Sequence, residues 1–176
     1  MRYAFPAAWF LAAAFTLAGC GDGESAAPAA GSLQDIDACA LLTAAEIEAA
    51  TGIAPGPAEN QGGRNAPPMC NWPSQDGAYP FAASLLVTVS ANYTSYEQAL
   101  AAWQESAADM GMDFDWAMYE EVDGPGTVNA WMADAGMLQA HRGDRMVQVY
   151  LHRLPPDRDR LQAATELATR AFARLD

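Results

Sequence analysis

The sequence predicts an α+β fold, an antiparallel β-sheet packed against helices and pinned by one structural disulfide. Three observations carry this expectation. Capping-box patterns at Thr43-Ala44-Ala45-Glu46 and Thr94-Ser95-Tyr96-Glu97 each open a helical segment. Several later stretches alternate apolar and polar residues with the period of two that marks a half-buried strand. Two cysteines, Cys39 and Cys70, stand about 30 residues apart in an otherwise cysteine-free domain. At 176 residues the chain has the length of one domain.

The first box starts a short helix that runs to about Thr51 and stops at Gly52, with Leu42 and Ile47 placed to staple its entry. Residues 54–68 are rich in Pro and Gly and read as a long loop. Met69 to Trp72 is a short strand ended by Pro73, and Ser84 to Ser90 alternates Leu85, Val87 and Val89 against small polar residues. The second box opens an amphipathic helix with Tyr96, Leu100, Trp103, Ala107 and Met110 on one face, ended by Gly111. Strands follow at 117–122, 127–133, 137–141 and 145–152, the last two as a hairpin about Gly143-Asp144. Past Pro155-Pro156, residues 157–175 form a final helix with Leu161, Ala164, Ala168, Ala171 and Leu175 on one side. Because both boxes begin similar blocks, a duplicated helix-strand unit is one way to build this order.

The amino terminus follows different rules. Arg2 is its only basic residue, and residues 3–18 hold no ionisable group except Tyr3. That run is short for a membrane span and has the order of a secretory signal. It ends in Leu17-Ala18-Gly19-Cys20, which resembles the lipobox of bacterial lipoproteins. The resemblance implies a signal peptide at 1–19, cleavage before Cys20, acylation of that thiol and attachment to a lipid bilayer; two or more acyl chains suffice for stable anchoring. Residues 20–35 then form the lipidated cysteine and a flexible tether, poor in groups that could order it, and residues 36–176 form a single α+β domain. Gly21 and not Asp follows the cysteine, which favours the outer membrane with the domain in the periplasm.

Export decides how the remaining cysteines are read. In an oxidising compartment Cys39 and Cys70 are expected to pair, and a loop of that size is stabilised by roughly 3 to 4 kcal/mol in the chain-entropy account. The alternatives are a redox pair, a metal site or free thiols. The first wants Cys-x-x-Cys and the second more close ligands, and the sequence offers neither.

Asp37, Cys39, Leu41, Leu42, Thr43, Glu46 and Gly52, followed by Cys70-Asn71-Trp72, resemble the opening of a family of small exported bacterial lipoproteins, the domain of unknown function 3558 group. Val122, Gly124, Gly126 and Ala130, with Trp131 after them, resemble its Gly-x-Gly-Asp-x-Ala turn, although Thr127 stands where that Asp falls. The resemblance implies an envelope lipoprotein and no particular chemistry.

A formal net charge of -13 opposes nucleic-acid binding, which needs a basic footprint. His141 and His152 are the only histidines and fall at different ends of the predicted hairpin, so they read as separate strand-surface residues rather than a metal pair or part of a triad. Asp109, Asp113, Asp115, Glu120, Glu121 and Asp123 crowd one stretch. They read first as a solvated face, then as a calcium site, although Asp113-x-Asp115 lacks the Gly and Glu of an EF-hand loop. Arg142-Gly143-Asp144 is explained by turn geometry. No phosphate loop is present.

No catalytic, metal or cofactor-binding residue is therefore assigned. Trp72, Trp103 and Trp131 are expected first to pack the core and, as the functional rival, to line a ligand cleft between sheet and helix. The expected function is a non-catalytic envelope lipoprotein domain binding a protein partner or a small ligand, cationic by charge complementarity. A carboxylate-dependent hydrolase and a structural envelope protein are the alternatives. Mass spectrometry of the protein from its native membrane should find residue 20 acylated as the mature amino terminus, and Cys20→Ala should move the protein into the soluble fraction.

Overall fold

Helix α1 (Ala44–Thr51) starts where the sequence says it should. In the computed structural model, which describes residues 33–63, 66–113 and 115–175, Thr43 Oγ1 accepts the Glu46 amide N–H at 3.3 Å, while Glu46 Oε2 accepts the Thr43 amide N–H at 2.8 Å. The capping box is reciprocal. Ile47 is fully buried, Leu42 nearly so, and Gly52 ends the helix in the left-handed region at φ 70°. The expected leader, Cys20 and residues 21–32 of the expected tether lie outside the described residues, whereas its last residues, Leu33–Asp35, form a 3-10 turn with Leu33 packed against the core.

Among the described residues seven strands form one antiparallel sheet in the order β1-β2-β3-β7-β6-β5-β4. They are β1 (Glu59–Asn60), β2 (Met69–Trp72), β3 (Ala83–Val89), β4 (Tyr119–Glu121), β5 (Val128–Met132), β6 (Met137–Arg142) and β7 (Arg145–Tyr150). Two meanders, β1-β2-β3 and β4-β5-β6-β7, meet where β3 pairs with β7. Helices α1 and α3 (Arg160–Leu175) cover one face, and α2 (Tyr96–Asp109) covers part of the other. The expected α+β architecture is the observed one.

Strand alternation sorts the side chains between the two faces. Opposite pairs Cys70–Leu85, Leu85–Val149, Val149–Leu138 and Leu138–Trp131 run across the sheet on the α1/α3 side, and all five residues are buried. Against them α3 lays Ala164, Leu167, Ala168, Ala171 and Phe172, whose small members let the helix sit close. This is the main core. A second, smaller core lies on the opposite face, where Val128, Ala130 and Met132 meet Ala99 and Ala107 of α2.

Several expectations change in detail. Loop 54–68 contains the two-residue β1, held by backbone pairing with Cys70 and Asn71, which a Pro- and Gly-rich composition does not announce. The second helix is capped by Ser95, whose hydroxyl accepts the Gln98 amide, while Gln98 Oε1 reaches back to the amide of Thr94; the box is thus shifted from Thr94 and Glu97. Its residue Met110 is 62% exposed and does not belong to the packed stripe. Residues Trp116–Met118 form a 3-10 turn rather than the start of a strand. The last helix starts at Arg160, with Asp159 accepting the Gln162 amide, because 157–159 still belong to the turn after the prolines. A duplicated unit related by the antiparallel β3–β7 pair would put α1 and α2 on the same face. They lie on opposite faces.

Cys39 and Cys70 are disulfide-bonded, joining the 3-10 turn Ala38–Ala40 to β2. At the same amino-terminal end of α1 sits a charged knot: Glu46 Oε1 accepts Arg174 Nη2 at 2.7 Å and Arg170 Nη1 at 3.2 Å, and Arg174 Nη1 donates to the Leu41 carbonyl at 2.7 Å. One carboxylate therefore caps α1 and docks α3. The hydrogen bond from Arg174 leads in holding the Glu46 carboxyl down at about 2, with the Thr43 bonds adding to it. A depressed carboxyl contributes stability that is complete above its ordinary value of 4.5 and is lost as pH falls through about 2.

Two outcomes follow for urea unfolding. Glu46→Gln should cost about 1 to 2 kcal/mol at pH 7 and flatten the acid limb between pH 4.5 and 2. The Cys39→Ala/Cys70→Ala pair should cost roughly 3 kcal/mol, independent of pH. An unchanged acid limb in the Glu46 variant would contradict the knot.

Candidate functional site

Strand β6 carries the residues that lead to the site. Leu138 and Ala140 point to the main core, so Met137, Gln139 and His141 face α2. His141 is 3% exposed, which corrects the expectation of a surface histidine: α2 and the preceding loop cover this end of the sheet. Trp103 of α2 lies over the imidazole with ring centroids 5.3 Å apart, and Tyr93 meets both rings edge-on at 5.4 and 6.1 Å. His152, by contrast, is exposed, with its Nδ1 2.8 Å from the Tyr150 hydroxyl. The two histidines do not converge.

Ser90 Oγ is 2.7 Å from both His141 Nδ1 and the Ala91 carbonyl oxygen. With its one proton given to the carbonyl, the hydroxyl accepts from Nδ1–H, which places a ring proton on Nδ1. Nε2 is buried and has no hydrogen-bond partner among the described residues. Burial accordingly lowers the His141 pKa from 6.5 to about 4.

Outward from this pair the aromatic cluster continues. Tyr119 tilts against Trp103 at 5.9 Å, Trp116 stacks on Tyr119 at 6.1 Å, and the Tyr96 hydroxyl donates to the Tyr119 carbonyl at 3.1 Å. Burial raises the Tyr96 phenol pKa, and the charges of Glu121 and Glu120 raise it further. Between α2 and the sheet this cluster bounds a cavity of about 290 Å³ lined by Trp103, Trp116, Tyr119, Met110, Met112 and Met146, with Ser106, Ala107 and Gln139 completing the wall. Rings and thioethers dominate it, a surface suited to apolar or polarisable groups.

Only one of the three tryptophans proposed for a cleft belongs here. Trp72 and Trp131 are 2% and 6% exposed in the main core, on the opposite face of the sheet from Trp103, so the three do not share a site. The sequence assigns Trp116, Tyr119, Met112 and Met146 to no cleft, and Met110 only to the packing face of α2. Their signal was the run from Met110 to Tyr119, in which apolar residues recur among carboxylates where a plain solvated face would be polar throughout.

Two larger cavities lie elsewhere among the described residues. One of about 650 Å³ is lined by Leu33, Ile36, Asn60, Gly62, Pro68 and Thr88 among others. Another of about 480 Å³ is lined by Arg153, Arg158 and Arg160 with Asp134; Arg158 and Arg160 already donate to the carbonyls of Ala49 and Ala133, and Asp157 and Asp159 stand between them in the chain.

The turn that precedes β5 is structural. Asn129 Oδ1 accepts the Gly126 amide at 2.9 Å and Asn129 Nδ2 donates to the Gly126 carbonyl at 3.0 Å, while Arg142 donates to the Pro125 carbonyl. A Cβ on Gly126 would stand 2.5 Å from the His141 carbonyl oxygen, so only glycine fits there. Asp109, Asp113, Asp115, Glu120, Glu121 and Asp123 are all exposed, so burial sets none of them apart as an acid or a nucleophile. Among the described residues no group of three His, Cys, Asp or Glu side chains could hold a metal ion. No helix among them is long and apolar enough to cross a membrane.

In comparisons with protein-family models, curated proteins and solved structures, none matches the chain.

The buried imidazole sets a pH dependence. Because its folded pKa is lowered, the unfolded chain binds more protons between about 4 and 6.5, and stability falls as pH drops through that window. Thermal melts at pH 7 and pH 4.5 should show a loss of about 2 kcal/mol from this source that His141→Phe removes. An identical pH slope in the variant would contradict a neutral buried histidine.

Proposed function

We propose that this protein is a lipid-anchored domain of the bacterial envelope that binds a small ligand without transforming it, in the cleft between α2 and the sheet. The carrying observation is the cavity lined by Trp103, Trp116, Tyr119 and three methionines. Ligand sites are concave, mostly apolar and furnished with a few polar groups, and Gln139 and Ser106 supply such groups here. The lipobox-like Leu17-Ala18-Gly19-Cys20 supports the anchor, and the Cys39–Cys70 disulfide supports an oxidising compartment. The exposed carboxylates give no support to a hydrolase.

Ser106 lines the cleft from the exposed side of α2, so Ser106→Trp fills the site without entering the core. Native mass spectrometry of the protein purified from its own envelope should show a bound small molecule that the Ser106→Trp protein lacks, with equal melting temperatures for the emptied forms. Returning the small-molecule extract should stabilise the wild type by about 2.7 kcal/mol at roughly a hundred times Kd. Absence of both the bound species and the stabilisation would refute a binding role for the cleft.

A further inference from the structure

We infer that the ligand of this cleft is a compact organic cation, a trimethylammonium-type group carried on a small molecule. The inference rests on the cleft being a binding site, and it adds the charge of what binds. Three aromatic rings, Trp103, Trp116 and Tyr119, share the wall of one small cavity. Aromatic faces carry negative potential and attract a cation most strongly when water is excluded, and weakly hydrated ammonium groups give up least water on entry. The thioethers of Met110, Met112 and Met146 add polarisable contact suited to methyl groups.

The surrounding charge has one sign. From Ala66 to His141 the chain contains no Lys or Arg. The same interval places Glu105 and Asp109 on α2, Asp113 and Asp115 in the segment that leads to Trp116, and Glu121 on the α2 face of β4 with Tyr119, while Glu120 between them turns to the other face. All six are exposed. Glu120 and Glu121 act on the cluster itself, since both push the Tyr96 phenol upward. The nearest arginines along the sheet, Arg142 and Arg145, fall on the α1/α3 face by strand alternation; Arg142 stacks its guanidinium on Phe172 of α3 at 4.4 Å. An aromatic wall inside an acidic rim repels anions and favours a cation over a neutral molecule of the same shape, while a cavity of about 290 Å³ limits the size of either.

Choline and 3,3-dimethylbutan-1-ol differ by nitrogen against carbon at the quaternary centre and therefore by charge at equal shape. Titrated by tryptophan fluorescence and calorimetry into the full-length protein at low salt, choline should bind about tenfold or more tighter than the alcohol. Added salt should narrow that ratio. Ser106→Trp should abolish choline binding. Asp109→Asn/Asp113→Asn/Glu121→Gln should weaken choline several-fold and leave the alcohol unchanged. Equal affinity for the two probes would overturn the cation inference and leave the cleft as a binding site. Choline binding that survives Ser106→Trp would also overturn it, by placing the cation elsewhere. If neither probe binds while the native protein carries its own small molecule, the cation class is wrong and the cleft stands; if that molecule is absent too, both readings fail.

Discussion

The pairing of β3 with β7 is the constraint on which the remaining architecture depends. It is the seam between two meanders remote in sequence, and its register sets Leu85 opposite Val149 and Val87 opposite Val147. Because side chains alternate with a period of two, a slip of one residue would send every apolar side chain of one meander to the wrong face. With the register as it stands, Trp72 and Trp131 join the core under α1 and α3, while His141 and Gln139 turn toward α2. The main core and the cleft are therefore two products of one alignment.

The two faces are built differently. Under α3 the contacts are dense, with Leu138, Val147, Val149, Leu167 and Phe172 all essentially inaccessible. Under α2 the packing is mixed: Ala99 and Ala107 sit tight on β5, yet Met110 and Met112 remain exposed at the mouth of a cavity. The neutral His141 ring lies beneath Trp103, with its hydrogen bond to Ser90 fixing the imidazole. Stability is concentrated on one face, and adaptable surface is left on the other.

Much of the fold was legible in sequence because its signals are local. Thr43, Glu46 and Gly52 state the limits of α1, and the Gly143-Asp144 hairpin placed His141 opposite Met146, as observed. What was not legible depends on which face is covered. The alternation in β6 is the same whether α2 lies over it or not, so the burial of His141 and the separation of Trp103 from Trp72 and Trp131 required tertiary contacts. Strand β1 escaped notice because two exposed residues, Glu59 and Asn60, pair through backbone alone. The cleft was half legible: Trp103 was named, but Trp116, Tyr119 and the methionines are scattered among acids that drew attention as charges.

The covalent link from Cys39 to Cys70 also sets a route for mechanical load. Tension applied to the chain ahead of residue 36 reaches Ala38–Ala40 and crosses directly to β2, which is hydrogen-bonded into the sheet. Helix α1 and the loop behind it are bypassed. Once the sulfurs are reduced, the same tension must travel through the 31-residue separation from Cys39 to Cys70, about 100 Å of chain when drawn out. A domain held by its amino-terminal end thus keeps a short, stiff connection to its sheet only while that crosslink is oxidised.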